Sequence, residues 1–444
     1  QALIARAEAV EPTINAFSYT YYEEALQAAK QAEDEYMKGD ARPLEGIPTA
    51  IKDESYIAGK PTSNGSLLLK DFVPETTTII VERLLEAGAI VHARTTTPEF
   101  SISGHTASKL WGVTRNPWNP EMTPGGSSGG AGAALAAGTT TLANGSDIAG
   151  SIRIPSSLSG LVGYKPPYGR NPEDPPFNME YYNHHGPMAR NVADCILMQN
   201  VVSGPHPHDI ASLKPKLTLP STYESIEGWR IAYSIDLGYQ IVHPEVRQNT
   251  LAALDVFRNL GATVEAVDLG WTDETRKAAN DHLGYGLMGA FLRENADQRD
   301  LMTGYARYFA DYAAQVTVED SYRAQTVAGE MYAKLSPVFD SYDLFICPTI
   351  ANTGIPATFD YSVDTLDIDG QAVDPFLGWL MTYPFNMLSR CPVLTVPSGQ
   401  AANQVPTGIQ LVGPTYEDAV VFQAATAYEA ARGILCGLDH HPMP

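Results

Sequence analysis

The order of hydrophobic and polar positions along the chain predicts short apolar strands that alternate with amphipathic helices. A charged helix is expected over 22–39, and the short apolar strand predicted over 47–53 carries Lys52 at its far end. A helix, a glycine stop and a strand are expected over 76–94, and the same succession recurs over 243–269 after a further strand. Strands and helices in this order are typical of an α/β architecture.

The rest of the chain extends this pattern without an obvious boundary. Residues 273–340 are mostly helical and rich in Ala, Tyr and Met, and we expect them to form a lid or a flank. The segment over 391–432 predicts two strands and a closing helix. Because no low-complexity linker divides the sequence, we expect one large α/β unit with a layered sheet over 1–444.

Composition narrows the classes of partner. The 444 residues carry a net charge of −22, which repels nucleic acids and anionic membranes. No apolar run reaches the ~18 residues of a membrane span, and the start at Gln1 lacks the apolar stretch of a signal peptide. Four widely spaced cysteines indicate buried free thiols and a reducing, cytoplasmic compartment. We expect some residues to precede Gln1, because the helical pattern is already under way there.

Two serine-containing segments rich in small residues are candidates for chemistry. The first, TPGGSSGG over 123–130, leads into a small-residue stretch that is expected to be helical, and the second surrounds Ser151 within 143–157. Small residues allow tight backbone turns and the close approach of other groups. Successive backbone N–H groups in such a turn form an anion site that suits the oxyanion of a tetrahedral intermediate.

A nucleophilic serine needs a base, and the histidines are poorly placed to supply one. None of the ten histidines lies in a G-x-S-x-G segment, and His184 and His185 fall in a polar segment, rich in Pro, Asn and Tyr, that is expected to be a loop. A lysine is a base when burial keeps it neutral. Lys52, at the end of an apolar strand, fits that role.

Each segment also has a plain structural interpretation. Lys52 beside Asp53 and Glu54 is compatible with a surface ion pair, GGSSGG with a flexible turn, and Ser151 with a helix cap. A phosphate-binding loop is disfavoured, because no Gly-Lys-Ser or Gly-Lys-Thr follows the glycines. The joint occurrence of the three segments favours the catalytic interpretation.

Taken together, the segments resemble the amidase signature family of serine hydrolases. That family carries a lysine in a G-x-P-x-x-x-K-D stretch, a GGSSGG loop and a G-[ST]-D-x-G-G-S-I-R-x-P segment. The similar stretches in this chain are GIPTAIKD (46–53), GGSSGG (125–130), GSDIAGSIRIP (145–155), NPWNP (116–120), GPMARNVAD (186–194), ICPT (346–349), PVLTVPSG (392–399) and GIQLVG (408–413). The resemblance therefore covers nearly the whole chain.

The resemblance implies an amidase-signature fold, in which helices cover both faces of a central mixed β-sheet in α/β/α layers. A single amidase domain over 1–444 would have its core at about 46–200 and 340–430, with a helical substrate-side segment at about 270–340. The resemblance also implies a small-molecule substrate, no metal and no organic cofactor. We expect a monomer or a homodimer.

The resemblance further implies a Ser–cis-Ser–Lys triad. Ser151 would be the nucleophile, Lys52 the general base, and Ser127, preceded by a cis peptide bond, the bridge that passes the proton between them. The implied oxyanion hole is formed by the N–H groups of Ile148, Ala149, Gly150 and Ser151, and the implied supporting residues are Ser128, Asp147 and Arg153. Alanine stands at position 149 where the family commonly has glycine, and we expect a tolerable conformation and an intact hole.

The similar proteins are broad-specificity bacterial amidases, in particular urethanases, which act on carbamates as well as amides. The candidate substrate-contacting residues are Ser101, Ser103, Gly126 and Arg170, with Phe177, Tyr181 and Tyr182 as further wall candidates; Arg170 is also compatible with a surface position. The helices expected within 283–340 and the segment 376–386 are further wall candidates. All these candidates are largely apolar with a few polar groups, which favours an apolar or aromatic substrate. Two other functions stay open, a glutaminase-type subunit of a tRNA-dependent amidotransferase and a catalytically inactive binding protein on the same fold.

Overall fold

The chain folds around one large mixed β-sheet. A computed structural model describes residues 1–361, 363–437 and 441–442. Within them, eleven strands form the large sheet, and four further strands form two separate two-stranded sheets. The strands are β1 (Phe17–Thr20), β2 (Pro48–Lys52), β3 (Ile90–Thr95), β4 (Ala107–Ser108), β5 (Gly112–Val113), β6 (Leu142–Ser146), β7 (Val162–Lys165), β8 (His185–Ala189), β9 (Arg230–Tyr233), β10 (Thr263–Ala266), β11 (Leu344–Pro348), β12 (Leu366–Ile368), β13 (Gln371–Val373), β14 (Val393–Gln400) and β15 (Pro406–Val412).

Helices connect and flank these strands. They are α1 (Ala2–Ile14), α2 (Tyr22–Lys38), α3 (Ile79–Glu86), α4 (Gly129–Ala136), α5 (Arg153–Ser159), α6 (Val192–Val202), α7 (Pro244–Asn259), α8 (Glu274–Tyr285), α9 (Leu287–Glu294), α10 (Gly304–Ala313), α11 (Val318–Phe339), α12 (Pro384–Met387) and α13 (Asp418–Arg432). The predicted charged helix is α2, the small-residue stretch is α4, and the region 273–340 contains α8 to α11. The predictions of an α/β class and of a mixed sheet flanked by helices are therefore confirmed.

The strand order places two strand ends side by side. Across the sheet the order is β1-β3-β2-β6-β8-β7-β14-β15-β11-β9-β10. β2 runs parallel to both β3 and β6, whereas β8 pairs antiparallel with β6. Lys52, the last residue of β2, therefore lies beside the end of β6 at Ser146. Ligands of α/β sheets commonly bind beyond such carboxyl ends.

Both faces of the sheet are buried. Successive side chains of a strand point to opposite sides of the sheet and so enter different cores. In β11, Phe345 and Cys347 belong to one hydrophobic core, and Leu344 and Ile346 belong to the other. Side chains of α8, α10 and α11 contribute to the first core. Side chains of α6, α7 and α13 contribute to the second. This arrangement encloses the central strand ends between layers of helices.

Candidate active site

Lys52 is fully buried at the end of β2. The strand lies between β3 and β6, so the side chain of its last residue lies in the protein interior. The Lys52 ammonium group lies 2.7 Å from Ser127 Oγ and 2.8 Å from Ser146 Oγ. Burial lowers the pKa of Lys52, and the nearby Glu54 carboxylate opposes that shift. The surface ion-pair interpretation of Lys52 is therefore wrong, since no part of the side chain reaches solvent.

Ser127 is presented by a tightly turned glycine loop before α4. The peptide bond between Gly126 and Ser127 is cis, as the resemblance implied. The first turn of α4, which follows this loop, packs so closely against its surroundings that a Cβ at Gly130 would lie 2.4 Å from the backbone nitrogen of Thr96. A side chain at this position would displace the main chain, so the glycine there is required by close approach and not by flexibility.

Ser151 and Ser128 connect the two serine segments. Ser128, fully buried, donates its backbone N–H to the carbonyl oxygen of Ser151 at 3.2 Å. Ser151 is buried, with 6% of its surface exposed. The backbone N–H groups of residues 148–151 have no hydrogen-bond acceptor among the described residues. Four successive donors without a partner are what a developing oxyanion needs.

The backbone of this segment places its unusual conformation on a glycine. Gly150 has a φ of +127°, and Ala149 is not among the residues with positive φ. The Ala149 carbonyl oxygen accepts a hydrogen bond from Thr382 Oγ1 at 2.5 Å. A Cβ on Gly150 would lie 2.0 Å from the same Thr382 oxygen. Alanine at 149 is therefore compatible with this turn, as expected.

A buried ion pair fixes the segment from below. Arg153 donates from Nε and Nη2 to the two carboxylate oxygens of Asp147, at 2.9 and 2.8 Å. The remaining guanidinium hydrogen bonds go to Thr382 O, Gln410 Oε1 and Asn386 Oδ1. Burial favours the neutral carboxyl of Asp147, but Arg153 and Asn386 together lower its pKa to about 2. Asp147 and Arg153 thus hold the turn that precedes α5.

A cavity of about 210 Å³ opens beside Ser127 and Ser146. Its wall combines a mainly apolar surface with a few buried charges. The lining includes Glu54, Tyr56, Leu69, Phe100, Ser101, Ser127, Ser146, Ile148, Glu173, Phe177, His185 and Met288. Ser151 is not one of the lining residues, consistent with its small exposed fraction. Such a wall suits a largely apolar ligand that is oriented by a few polar groups.

Of the four predicted substrate-contacting residues, one lines the cavity and three do not. Ser101 lines the cavity, whereas Ser103 donates to Tyr361 Oη at 3.0 Å, and Gly126 packs against the Ser103 backbone. Arg170 forms a two-point ion pair with Asp418 of α13, at 2.9 and 2.8 Å. The Arg170 guanidinium is thus engaged by Asp418, and Arg170 is not among the residues that line the cavity.

The aromatic wall candidates also divide. Phe177 lines the cavity. Tyr182 is buried and stacks on His282, with ring centroids 3.8 Å apart. Tyr181 instead lines a separate cavity of about 540 Å³ together with Arg390. Size alone therefore does not mark the site, since the larger cavity lies away from the buried lysine.

Sequence reasoning missed a set of charged groups beside Lys52. Glu54 approaches the Lys52 ammonium group at 3.1 Å and accepts a hydrogen bond from Ser101. His185, expected in a loop, begins β8 and is paired in register with Ser146 of β6. Its Nδ1 lies 2.5 Å from Glu173. The nearest sequence signal was the position of Glu54, two residues after Lys52.

The comparisons with known proteins identify the family of the chain. A family model described as Amidase matches residues 1–422. An acylamidase of Rhodococcus erythropolis is 34% identical over 97% of this chain and 91% of its own length. The A subunit of a glutamyl-tRNA(Gln) amidotransferase of Chloroflexus aurantiacus is 33% identical, covering 97% of this chain and 92% of that protein. A crystal structure of a bacterial aryl acylamidase superposes with a TM-score of 0.90 at 29% identity, covering 97% of this chain and 92% of that one.

The fold and the family match thus define a hydrolase that acts on amides. The chain belongs to the amidase signature family. None of the helices in the described residues is long and apolar enough to cross a membrane.

Proposed function

We propose that this protein hydrolyses amides and carbamates through a seryl acyl-enzyme. The observation that carries the proposal is that Lys52 is fully buried and its Nζ lies 2.7 Å from Ser127 Oγ. Ser127 belongs to the loop that is hydrogen-bonded to the Ser151 backbone. A lysine without solvent has a lowered pKa and can accept a proton near neutral pH. A water-exposed lysine would remain charged under the same conditions.

In the proposed first half-reaction, Ser151 Oγ attacks the carbonyl carbon of the substrate. Its proton passes to Ser127, and a proton of Ser127 passes to neutral Lys52. The negative charge on the carbonyl oxygen is received by the unpaired N–H groups of 148–151. When the C–N bond breaks, the proton returns through Ser127 to the leaving nitrogen.

In the second half-reaction, water attacks the acyl-enzyme. The same relay takes the proton of the water and returns one to Ser151, which releases the acid product. With a carbamate the C–O bond breaks in place of the C–N bond, so the relay returns its proton to the leaving alcohol oxygen in the first half-reaction. Water then releases a carbamic acid, which loses CO₂ to leave an amine. No step requires a metal or an organic cofactor, because each proton has a carrier among the three side chains.

The cavity supports apolar or aromatic substrates. Tyr56, Phe100 and Phe177 supply aromatic surface, and Leu69 and Met288 supply aliphatic surface. Burial of a ring against such a wall contributes roughly 25 cal/mol for each Å² removed from water. Acylamidase and aryl acylamidase relatives support this substrate class. The four buried free cysteines support a reducing, cytoplasmic setting.

Hydrolysis of a matched set of compounds tests the proposal. The purified chain is given an anilide, an aryl carbamate, an ester with the same acyl group, and glutamine. We expect turnover of the first three without ATP, and loss of all three in Ser151→Ala. Turnover of the anilide but not of the carbamate would remove carbamates from the proposal. Turnover that persists in Ser151→Ala would remove the nucleophile assignment.

A second candidate is the glutaminase subunit of a tRNA-dependent amidotransferase. It is favoured by the 33% identity to an amidotransferase A subunit over nearly the whole chain. That function would show as glutamine hydrolysis that depends on partner subunits, with little activity on the anilide. The same set of compounds therefore separates the two candidates.

A further inference from the structure

A chain of four ionisable side chains, three of them buried and Glu54 partly exposed, extends from the proposed base into the cavity wall. Lys52 Nζ lies 3.1 Å from Glu54 Oε2, Glu54 Oε1 lies 3.6 Å from His185 Nε2, and His185 Nδ1 lies 2.5 Å from Glu173 Oε2. Cations and anions thus alternate along the chain. The proposed proton relay through Ser127 uses only the first of these groups.

The position of Glu54 is fixed from several sides. Besides Lys52, its carboxylate accepts a hydrogen bond from Ser101 and faces His185. The side chain is 15% exposed and lines the cavity. A carboxylate held in this manner in a partly desolvated wall acts strongly on charges beside it, because little water screens the interaction.

The charges around Glu54 favour its ionised form. Burial by itself favours the neutral acid, but Lys52 and His185 lower the pKa of Glu54. For His185, burial favours the neutral ring, and Glu173 and Glu54 nevertheless raise its pKa to about 10. Because the His185 charge is compensated by Glu173, Glu54 remains as a negative charge beside Lys52.

We propose that Glu54 is a positioning residue that stabilises the protonated form of Lys52 while the lysine holds the proton of Ser151. The inference rests on the proposed function, in which Lys52 is the base. Before proton transfer the neutral lysine leaves the Glu54 charge unpaired, and after transfer the two groups form an ion pair. The pair is therefore stronger in the acylation transition state than in the ground state, which is the condition for an interaction to accelerate the reaction.

The role resembles that of the carboxylate beside the histidine of a serine protease triad, which stabilises the cation formed on the base. It also carries a consequence for pH dependence, since the same charge disfavours the neutral lysine of the free enzyme. Around this pair lie Asp147 beyond β6, which acts on Lys52, and His185 of β8, which faces Glu54 and contacts Glu173. Arg94 of β3 donates to the Lys52 carbonyl oxygen at 3.1 Å, and Asp174 lines the same cavity. Glu54 is the acid in contact with Lys52 Nζ.

Glu54→Gln tests the proposal through the pH profile of kcat/KM. Removing the charge should move the acid limb of the profile to lower pH by about one unit or more. It should also lower the plateau at high pH by about tenfold, because the lysine becomes a weaker base. A merely structural role would lower activity at every pH without moving the limb. A limb that stays in place, or moves to higher pH, would overturn the proposal.

His185→Gln supplies a test in the opposite direction. It removes the cation on the far side of Glu54, leaves the Glu54 charge, and should move the acid limb to higher pH. This variant decides the question alone if Glu54→Gln does not fold, and an unmoved or lowered limb would then contradict the proposal. Glu45→Gln is the matched control, because Glu45 is also a buried carboxylate, paired with Arg42 at 2.6 Å, and does not line the cavity. Its profile should coincide with that of the wild type.

The rate at which a fluorophosphonate labels Ser151 can be measured by mass spectrometry across pH. In Glu54→Gln and His185→Gln, the acid limb of this labelling rate should shift in the same directions as the acid limb of kcat/KM. This readout separates two failures. If the proposed function fails, Ser151 is not labelled or Ser151→Ala retains turnover. If the inference about Glu54 fails, Ser151 is labelled, Ser151→Ala is inactive, and the labelling limb of Glu54→Gln coincides with that of the wild type.

Discussion

At the scale of single residues, the central feature is a lysine enclosed by hydroxyl groups. Lys52 contacts Ser127 and Ser146 at nearly equal distances, 2.7 and 2.8 Å. The two serines differ in what lies beyond them. Ser127 belongs to the loop bonded to the Ser151 backbone, whereas Ser146 ends β6. In the proposed mechanism only Ser127 moves a proton.

This difference gives a matched pair of variants. Ser127→Ala removes the bridge and should lower kcat by roughly a hundred- to ten-thousand-fold. Ser146→Ala removes a hydrogen bond to the same lysine without breaking the relay, and should lower kcat by less than about tenfold. Steady-state kinetics on an anilide measures both. Equal losses in the two variants would show that the serines serve only to hold Lys52.

At the scale of elements, the turn between β6 and α5 combines one glycine at positive φ with four N–H groups that have no acceptor in the described part of the chain. Thr382 constrains this conformation in two ways. Its side chain leaves no room for a Cβ at Gly150, and its hydroxyl donates a hydrogen bond to the carbonyl oxygen of Ala149. The departure from the family at position 149 therefore falls where the backbone tolerates a side chain. At position 150, where the backbone requires glycine, the chain has glycine.

A reciprocal pair of exchanges tests this interpretation of the turn. Gly150→Ala places a side chain at a φ of +127° and against Thr382, and should both reduce kcat and destabilise the fold by about 1–3 kcal/mol. Ala149→Gly should leave kcat within about threefold, since no strain is relieved at that position. Kinetics and chemical denaturation of both variants provide the measurement. A harmless Gly150→Ala would mean that the turn does not set the oxyanion donors.

The elements also show what sequence could and could not predict. The strand before Lys52 and the helix after GGSSGG follow from apolar patterning and small residues, and the structure contains both. The charges around Glu54 could not be predicted, because they depend on the register that pairs His185 with Ser146. The ion pair of Arg170 could not be predicted for a similar reason, since its partner Asp418 lies 248 residues away. Long-range pairing is the information that local pattern lacks.

At the scale of the whole molecule, one buried ion pair ties the candidate site to several layers. Arg153 of α5 bonds Asp147, reaches Gln410 of β15, and bonds Asn386 of α12. Both charged side chains are fully buried. Removing one partner of such a pair leaves a charge without compensation in the interior, which is far more destabilising than losing a surface pair.

Arg153→Met should therefore lower the free energy of unfolding by about 3–5 kcal/mol. The control is Arg258→Met, because Arg258 forms a solvent-exposed ion pair with Asp255 at 2.7 Å. Loss of that pair should change stability by less than about 1 kcal/mol. Urea denaturation at neutral pH compares the two variants. Equal effects would contradict a special role for the buried pair.

The same pair has a pH signature with a defined sign. The pKa of Asp147 is lowered from 3.8 to about 2 in the folded protein. A depressed carboxyl pKa contributes stability that is complete above the unfolded value and disappears as the pH falls through the folded value. The stability advantage of the wild type over Arg153→Met should therefore shrink as the pH falls from 3.8 to about 2. An advantage that grew in this range would contradict the ion pair.

The central claim is that buried, neutral Lys52 accepts the proton of Ser151 through Ser127. The most direct measurement is the pH dependence of kcat/KM for an anilide, compared between the wild type and Lys52→Met. The wild-type rate should rise on a single limb toward mildly alkaline pH, as burial lowers the pKa of the lysine, and Lys52→Met should lose both the limb and most of the rate. A wild-type rate that falls above neutrality, or a limb that persists without Lys52, would contradict the account.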